Sequence, residues 1–399
     1  MAQSKLYFIG LATICTSIIA VSGSRIVRDV SKEKEDNSLD TNSDTLRFVI
    51  LALRHGDRTP QDTYPNDPYI NDKFEPYGWG QLTNKGRLNQ YNQGVYLRQR
   101  YGKFLGSRYS PEIFWLQSTA VDRAKMSALL VAAGLWKPDD KQTFKTDLPW
   151  QPVALHYQQD NDTLLLIWSS CADYPRLHKL VEDSKQIKEI EAKNQKLFED
   201  LSKHTGMKIA NSDDVFSLLG TLEAEENMGL KLPEWTHEIY PDKLIELSKL
   251  SLQMTVYNEK MRKMKAGPFV TKIANAMKDK SEGKLKPAER KMVMYVGHDS
   301  TIVTLLAGLN VWEDRQIPGY SNMVMIELHE DKSGWNVQVF LKNSTTEAPH
   351  PLKIPGCDFA CPLEKFLTLM KPMILTSEEW SEECRLKDPS YVSGKVPPP

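Results

Sequence analysis

The chain has 399 residues, 51 Lys+Arg against 52 Asp+Glu, and 40% hydrophobic residues, ordinary composition for a globular protein that buries a full core. A net charge of −1 provides no long-range field toward nucleic acid or an anionic membrane surface, so bound phosphate must be met by a local cluster of cations. The 23 Pro and 21 Gly follow no period, which excludes collagen-like and low-complexity classes.

Lys5 precedes an apolar run from Leu6 to Val21, and Val21-Ser22-Gly23 offers small residues for cleavage. The run is about 16 residues, short of the roughly 20 that a spanning helix needs. Residues 1–23 are therefore read as a signal peptide, and loss of Lys5 with it leaves 50 basic against 52 acidic residues. No later segment reaches spanning length, so no membrane anchor is expected. The mature protein is expected to be secreted and extracellular, with lysosomal delivery as the alternative. Residues 24–44 are charged and poor in apolar positions, which suits a disordered arm.

Leu46 to Leu53 is a nearly continuous apolar run, the pattern of a buried parallel strand, and leads into Arg54-His55-Gly56-Asp57-Arg58-Thr59-Pro60. Leu88, Tyr91 and Val95 give Thr83 to Tyr101 helical spacing. Glu112 to Leu116 predicts a second strand, leading into Ser118-Thr119-Ala120-Val121-Asp122-Arg123 and a helix from Ala124 to Gly134. Leu180 to His204 reads as one charged amphipathic helix, with Ile187, Ile190, Leu197 and Leu201 on one side and Gly206 at its end. Asp242 to Ala266 reads as another, stopped by Gly267-Pro268. No strand pattern interrupts residues 175–285. A third strand, Lys291 to Val296, leads into Gly297-His298-Asp299-Ser300-Thr301 and an apolar helix from Ile302 to Leu309. Met323 to Leu328 and Trp335 to Leu341 form a hairpin pattern around Glu330 to Gly334. The expected fold is α/β, a mixed, largely parallel sheet flanked by helices. Residues 45–160 and 286–384 would form it, 161–285 would be an all-helical insert, and 385–399 a flexible tail.

Cys15 leaves with the signal peptide, and Cys171, Cys357, Cys361 and Cys384 remain. Four cysteines in an oxidising compartment suggest two disulfides, with three connectivities open, one of them a local Cys357–Cys361 bridge. Asn161-Asp162-Thr163 and Asn343-Ser344-Thr345 are glycosylation sequons.

Three strand–loop–helix units thus carry their most polar residues at the strand's C-terminal end, the edge where open α/β sheets bind ligands. Arg54 and Arg58 flank His55. Guanidinium forks match phosphate oxygens, and a neutral imidazole surrounded by cations can attack phosphorus. Gly56 would let the backbone approach a ligand closely. Arg123 would complete the cationic ring, and His298, if protonated, would be another phosphate ligand. Asp299 could protonate a leaving oxygen and later take a proton from water. His55, Asp57, His298 and Asp299 are also metal-ligand types, but three arginines would repel a divalent cation and no HxH or HExxH spacing occurs; no metal and no cofactor are expected.

The motifs Arg54-His55-Gly56-Asp57-Arg58-Thr59-Pro60, Ser118-Thr119-Ala120-Val121-Asp122-Arg123, Leu232-Pro233-Glu234-Trp235 and Gly297-His298-Asp299 resemble those of the histidine acid phosphatase family over most of residues 46–384. The likeness is to the animal lysosomal and prostatic type, and within it to the insect venom acid phosphatases. It implies a phosphoglycerate-mutase-like α/β domain with a smaller helical one. It implies His55 as the nucleophile, Arg54, Arg58, Arg123 and His298 as phosphate ligands, and Asp299 as proton donor. Two bridges, Cys357–Cys361 and Cys171–Cys384, are implied, as is a homodimer. Asn322 stands where a third bridge would have a cysteine, and Ala120 replaces an acidic residue of the third motif. The function expected is a secreted, metal-independent acid phosphatase acting on small phosphate monoesters or phosphoproteins. A phytase or phosphoglycerate-mutase-like phosphotransferase is the alternative enzyme, and a catalytically silent binding protein the alternative class.

Overall fold

The computed structural model describes residues 44–392, apart from 169, 313 and 314. The expected signal peptide, the arm up to residue 43 and the tail beyond residue 392 lie outside the described residues. In chain order the elements are β1 (Leu46–Arg54), α1 (Asn84–Leu105), β2 (Phe114–Thr119), α2 (Asp122–Leu135) and β3 (Leu155–Gln158). There follow α3 (Tyr174–Glu182), α4 (Lys185–Lys193), α5 (Gln195–Thr205), α6 (Ser212–Asn227), α7 (Asp242–Met254) and α8 (Glu259–Ser281). Then come β4 (Met292–Gly297), α9 (Asp299–Gly308), β5 (Met323–Asp331), β6 (Gly334–Lys342), β7 (His350–Leu352), β8 (Cys361–Pro362), α10 (Leu363–Met370) and α11 (Ser377–Cys384).

One mixed sheet runs in the order β3-β2-β4-β1-β5-β6-β7, with β8 on β6. β3, β2, β4 and β1 pair in parallel with one another, whereas β5 joins β1, and β6, β7 and β8 follow, by antiparallel ladders. Alternation along β1 divides the core. Phe48, Ile50 and Ala52 pack with Phe269 and Val270 of α8 and Ile302 and Leu305 of α9. Val49, Leu51 and Leu53 pack on the other face with Leu97 and Tyr101 of α1 and Val131 of α2. Burial on both faces explains why β1 reads as a continuous apolar run.

Three helix expectations are corrected by local chemistry. The single helix over 180–204 is broken into parts of α3, α4 and α5. Ser184 caps α4 by accepting from Ile187 N, and the Asn194 carboxamide donates to Ile190 O, each offering the backbone an alternative to continued helix. The helix from Asp242 ends at Met254, and Asn258 starts a new one by accepting from Met261 N. Gly267-Pro268 does not stop that helix: α8 runs through it. Pro268 cannot donate to the carbonyl of Met264, and the Trp380 indole of α11 donates to that carbonyl instead, at 2.8 Å. A Cβ at Gly267 would lie 2.9 Å from Met373 O, so the glycine permits that close crossing.

Both bridges form, Cys171–Cys384 and Cys357–Cys361. The first joins residues 213 apart, tying the start of the helical stretch to α11. Asn322 is buried, and its carboxamide donates to Asn343 Oδ1 at 3.4 Å.

Candidate active site

The register aligns three strand ends. Arg54 pairs with Gly297 and Ser118 with Val296, so the loops after β1, β2 and β4 open at one edge of the sheet. Arg54, His55, Arg58, Arg123, His298 and Asp299 all line one cavity there of about 370 Å³. The sequence-predicted constellation is therefore brought together. A larger hollow of about 950 Å³ beside Trp235 and His237 contains none of these residues.

His55 is buried, and its two ring nitrogens are each committed. Nδ1 lies 2.8 Å from the carbonyl of Gly56, which can only accept, so Nδ1 carries the proton. Arg123 Nε, which can only donate, points to Nε2 at 3.1 Å, so Nε2 presents a lone pair. Burial holds the imidazole well below its ordinary pKa, and the charges of Arg123 and Arg54 act in the same direction. The loop is held in place by glycines. A Cβ at Gly56 would lie 2.5 Å from Gly86 O in the first turn of α1. Its lack of a side chain permits this packing of loop on helix.

Arg54 pairs with Asp299 at 2.9 Å, donates to Pro318 O and lies 4.2 Å over the Tyr320 ring. Arg123 sits at the start of α2, and burial together with Arg58 pushes its guanidinium down to about 10. Asp122 pairs instead with Lys125 on the helix surface. Arg58 donates to Thr59 O, and its Nη2 would lie 3.6 Å from a Cβ at Gly220 of α6. Burial, then Arg123 and Arg54, hold His298 well below its ordinary pKa. Its Nε2 is 3.0 Å from Thr119 Oγ1, and its Nδ1 is buried with no partner among the described residues. Asp57 faces away, held by Lys85 at 3.2 Å and Asn89 at 2.9 Å, so it does not converge with His55, His298 and Asp299 as a ligand set.

A family model described as the histidine phosphatase superfamily (branch 2) matches residues 45–342. The chain belongs to this superfamily. It is 34% identical to the prostatic acid phosphatase of Rattus norvegicus over 392 residues, 96% of this chain and 97% of that protein. It is 32% identical to the lysosomal acid phosphatase of Homo sapiens over 352 residues, 87% and 82% of the two chains. Membership with this identity makes it a histidine-type acid phosphatase. The phytase of Citrobacter braakii superposes with a TM-score of 0.63 at 17% identity, covering 85% of this chain and 99% of that one, a likeness of fold.

Around this histidine phosphatase centre stand residues that the sequence did not single out. Tyr320 packs its ring against His55, with centroids 5.7 Å apart. Ser321 adopts a left-handed φ of 63° and is tied to α1 by Gln90 and Gln93, a strained backbone position beside the site. Lys265 of α8 also lines the cavity. The rest of the wall is largely apolar, with Leu165, Ile167 and Trp168 ahead of α3, Phe216 of α6 and Leu252 of α7. Sequence pattern gives no signal for these, because each is an ordinary residue of an amphipathic helix or loop. Asn161 is exposed, whereas Asn343 is half-buried.

Proposed function

We propose that the chain is a secreted, metal-independent acid phosphatase that hydrolyses phosphate monoesters through a covalent phosphohistidine on His55. The observation that carries this reading is the tautomer of His55: Nδ1–H donates to Gly56 O, and the Nε2 lone pair faces the guanidinium of Arg123. When a phosphate dianion enters, the Arg123 N–H that caps Nε2 is free to donate to a phosphoryl oxygen. Arg54 and Arg58 neutralise the remaining oxygens and lower the barrier to attack. With the Thr119 hydroxyl donating to Nε2, neutral His298 would carry its proton on the unpartnered Nδ1 and offer it to phosphate.

In the first step Nε2 attacks phosphorus, the bond to the ester oxygen breaks, and that oxygen takes the proton of Asp299. The phosphoimidazolium is positive, and the Gly56 carbonyl accepting from Nδ1–H stabilises it. In the second step water gives a proton to Asp299 and attacks phosphorus, the P–N bond breaks, and phosphate leaves with His55 neutral again. The need for a protonated Asp299 is the reason to expect an acid optimum. Phosphate charge is met by guanidinium groups, so the step requires no metal.

Secretion is supported by the cleavable apolar run at the N-terminus and by two disulfides. Among the described residues no helix is long and apolar enough to cross a membrane. Asn161, exposed, and Asn343 are the proposed glycosylation sites. The helices of residues 161–285 are proposed as an insert that roofs the cavity and limits substrate size.

The test is hydrolysis of p-nitrophenyl phosphate from pH 3 to 9, with and without EDTA, by the mature protein and by His55→Ala. An acid-side rate unchanged by EDTA and lost in the variant supports the reading. A rate that survives in His55→Ala and is lost with EDTA overturns it. Phosphate binding without turnover would favour a binding protein.

A further inference from the structure

The geometry points to Lys265 as a specificity-determining residue that binds a second anionic group, a carboxylate, on the leaving-group side of the substrate. This rests on the phosphatase reading and extends it to substrate class. Lys265 is only 8% exposed, an unusual burial for lysine. It lies between the buried Met264 and Ala266 of α8, yet lines the same cavity as Arg54, His298 and Asp299.

The three arginines and His55 are fixed by the loops after β1 and β2, and the proposed chemistry has no use for a lysine. Among the described residues no carboxylate or carbonyl lies within hydrogen-bonding or ion-pair distance of its ammonium. The Tyr174 ring, with its centroid 5.9 Å away, is its recorded contact. Burial pushes the ammonium down to about 7, and the Asp299 charge opposes that fall. It is therefore a cation through the acid range.

Lys265 and Asp299, the group that would protonate the departing oxygen, line the same cavity. Leu165, Ile167 and Leu252 also line that cavity, and among the described residues the ammonium has no paired acceptor. A largely buried ammonium without a partner forms a strong charge-assisted hydrogen bond with an anion that reaches it. Asp62 and Glu223 also face the cavity and would repel a polyanion, which favours one added carboxylate over several phosphates.

The experiment compares kcat/KM at pH 5 for 3-phosphoglycerate and glycerol 3-phosphate, which differ by a carboxylate in place of a hydroxymethyl group. Wild-type enzyme should prefer the carboxylate by about tenfold, the scale of a buried charge-assisted hydrogen bond. Lys265→Met and Lys265→Gln should bring the ratio, taken within each variant, close to one. A wild-type ratio near one overturns the assignment, as does a preference that survives either substitution. If both variants fail to fold, inhibition of wild type decides: glycerate should inhibit more strongly than glycerol, and equal inhibition overturns the assignment. Failure of the wild type to hydrolyse either ester would instead overturn the phosphatase reading on which the assignment rests.

Discussion

Replacing His55 by Gln should flatten the acid side of the stability curve. His55 is 2% exposed and held neutral by burial and by two guanidinium charges, whereas an unfolded imidazole titrates near its ordinary 6.5. The folded protein thus refuses a proton that the unfolded chain takes. For a depressed pKa of this kind the contribution is fully present above about 6.5. It is lost as pH falls, by about 1.4 kcal/mol for each unit until the folded group titrates. Glutamine keeps a polar side chain at the site and does not titrate. Urea unfolding of both proteins at pH 7.5 and 5.0 reads the difference. The stability of wild type minus that of His55→Gln should fall from pH 7.5 to pH 5.0, by about 1.4 kcal/mol for each pH unit below 6.5 over which folded His55 stays neutral. A difference that stays constant would mean that folded His55 takes up a proton as readily as a free imidazole. It would then be no lone-pair nucleophile at acid pH.

Thr119→Val keeps shape but removes the hydroxyl 3.0 Å from His298 Nε2, and kcat/KM for p-nitrophenyl phosphate should fall about tenfold, with a smaller change in folding stability. Asp299→Asn should slow hydrolysis of alkyl phosphates by roughly 100-fold or more, and that of p-nitrophenyl phosphate less, because nitrophenolate leaves without a proton; steady-state rates on the two substrates decide. Cys171→Ser opens a loop closed across 213 residues, and the chain-entropy scale for such a loop is about 5 kcal/mol, so thermal unfolding should shift down by many degrees while the active-site pH profile is kept.

The catalytic half of the molecule was legible because its signals are local. β1 is buried on both faces and so apolar throughout, and the motif from Arg54 to Pro60 follows it without a gap. The same holds for β2 with Arg123 and for β4 with His298 and Asp299. The helical stretch was harder to divide because its breaks depend on single side chains. Ser184 and Asn194 end or begin helices by bonding their neighbours' backbone, a choice open to any Ser or Asn. Pro268 is accommodated by an indole 112 residues further along the chain, at Trp380, which no local pattern reveals. Lys265 was missed for a related reason. A lysine on a charged helix reads as solvated, and only tertiary packing, which sets it beside Tyr174 of α3, buries it. The neutrality of His298 likewise depends on burial that sequence does not report.

The central claim is a covalent bond between His55 and phosphorus, and trapping that intermediate tests it most directly. A radiolabelled phosphate monoester would be mixed with enzyme at pH 5 and quenched in alkali within milliseconds, since phosphohistidine is stable to base and labile to acid. Nucleophilic catalysis predicts label on the peptide containing His55, formed at least as fast as product and absent from His55→Ala. Full turnover with no labelled peptide, or label on a different residue, would contradict it.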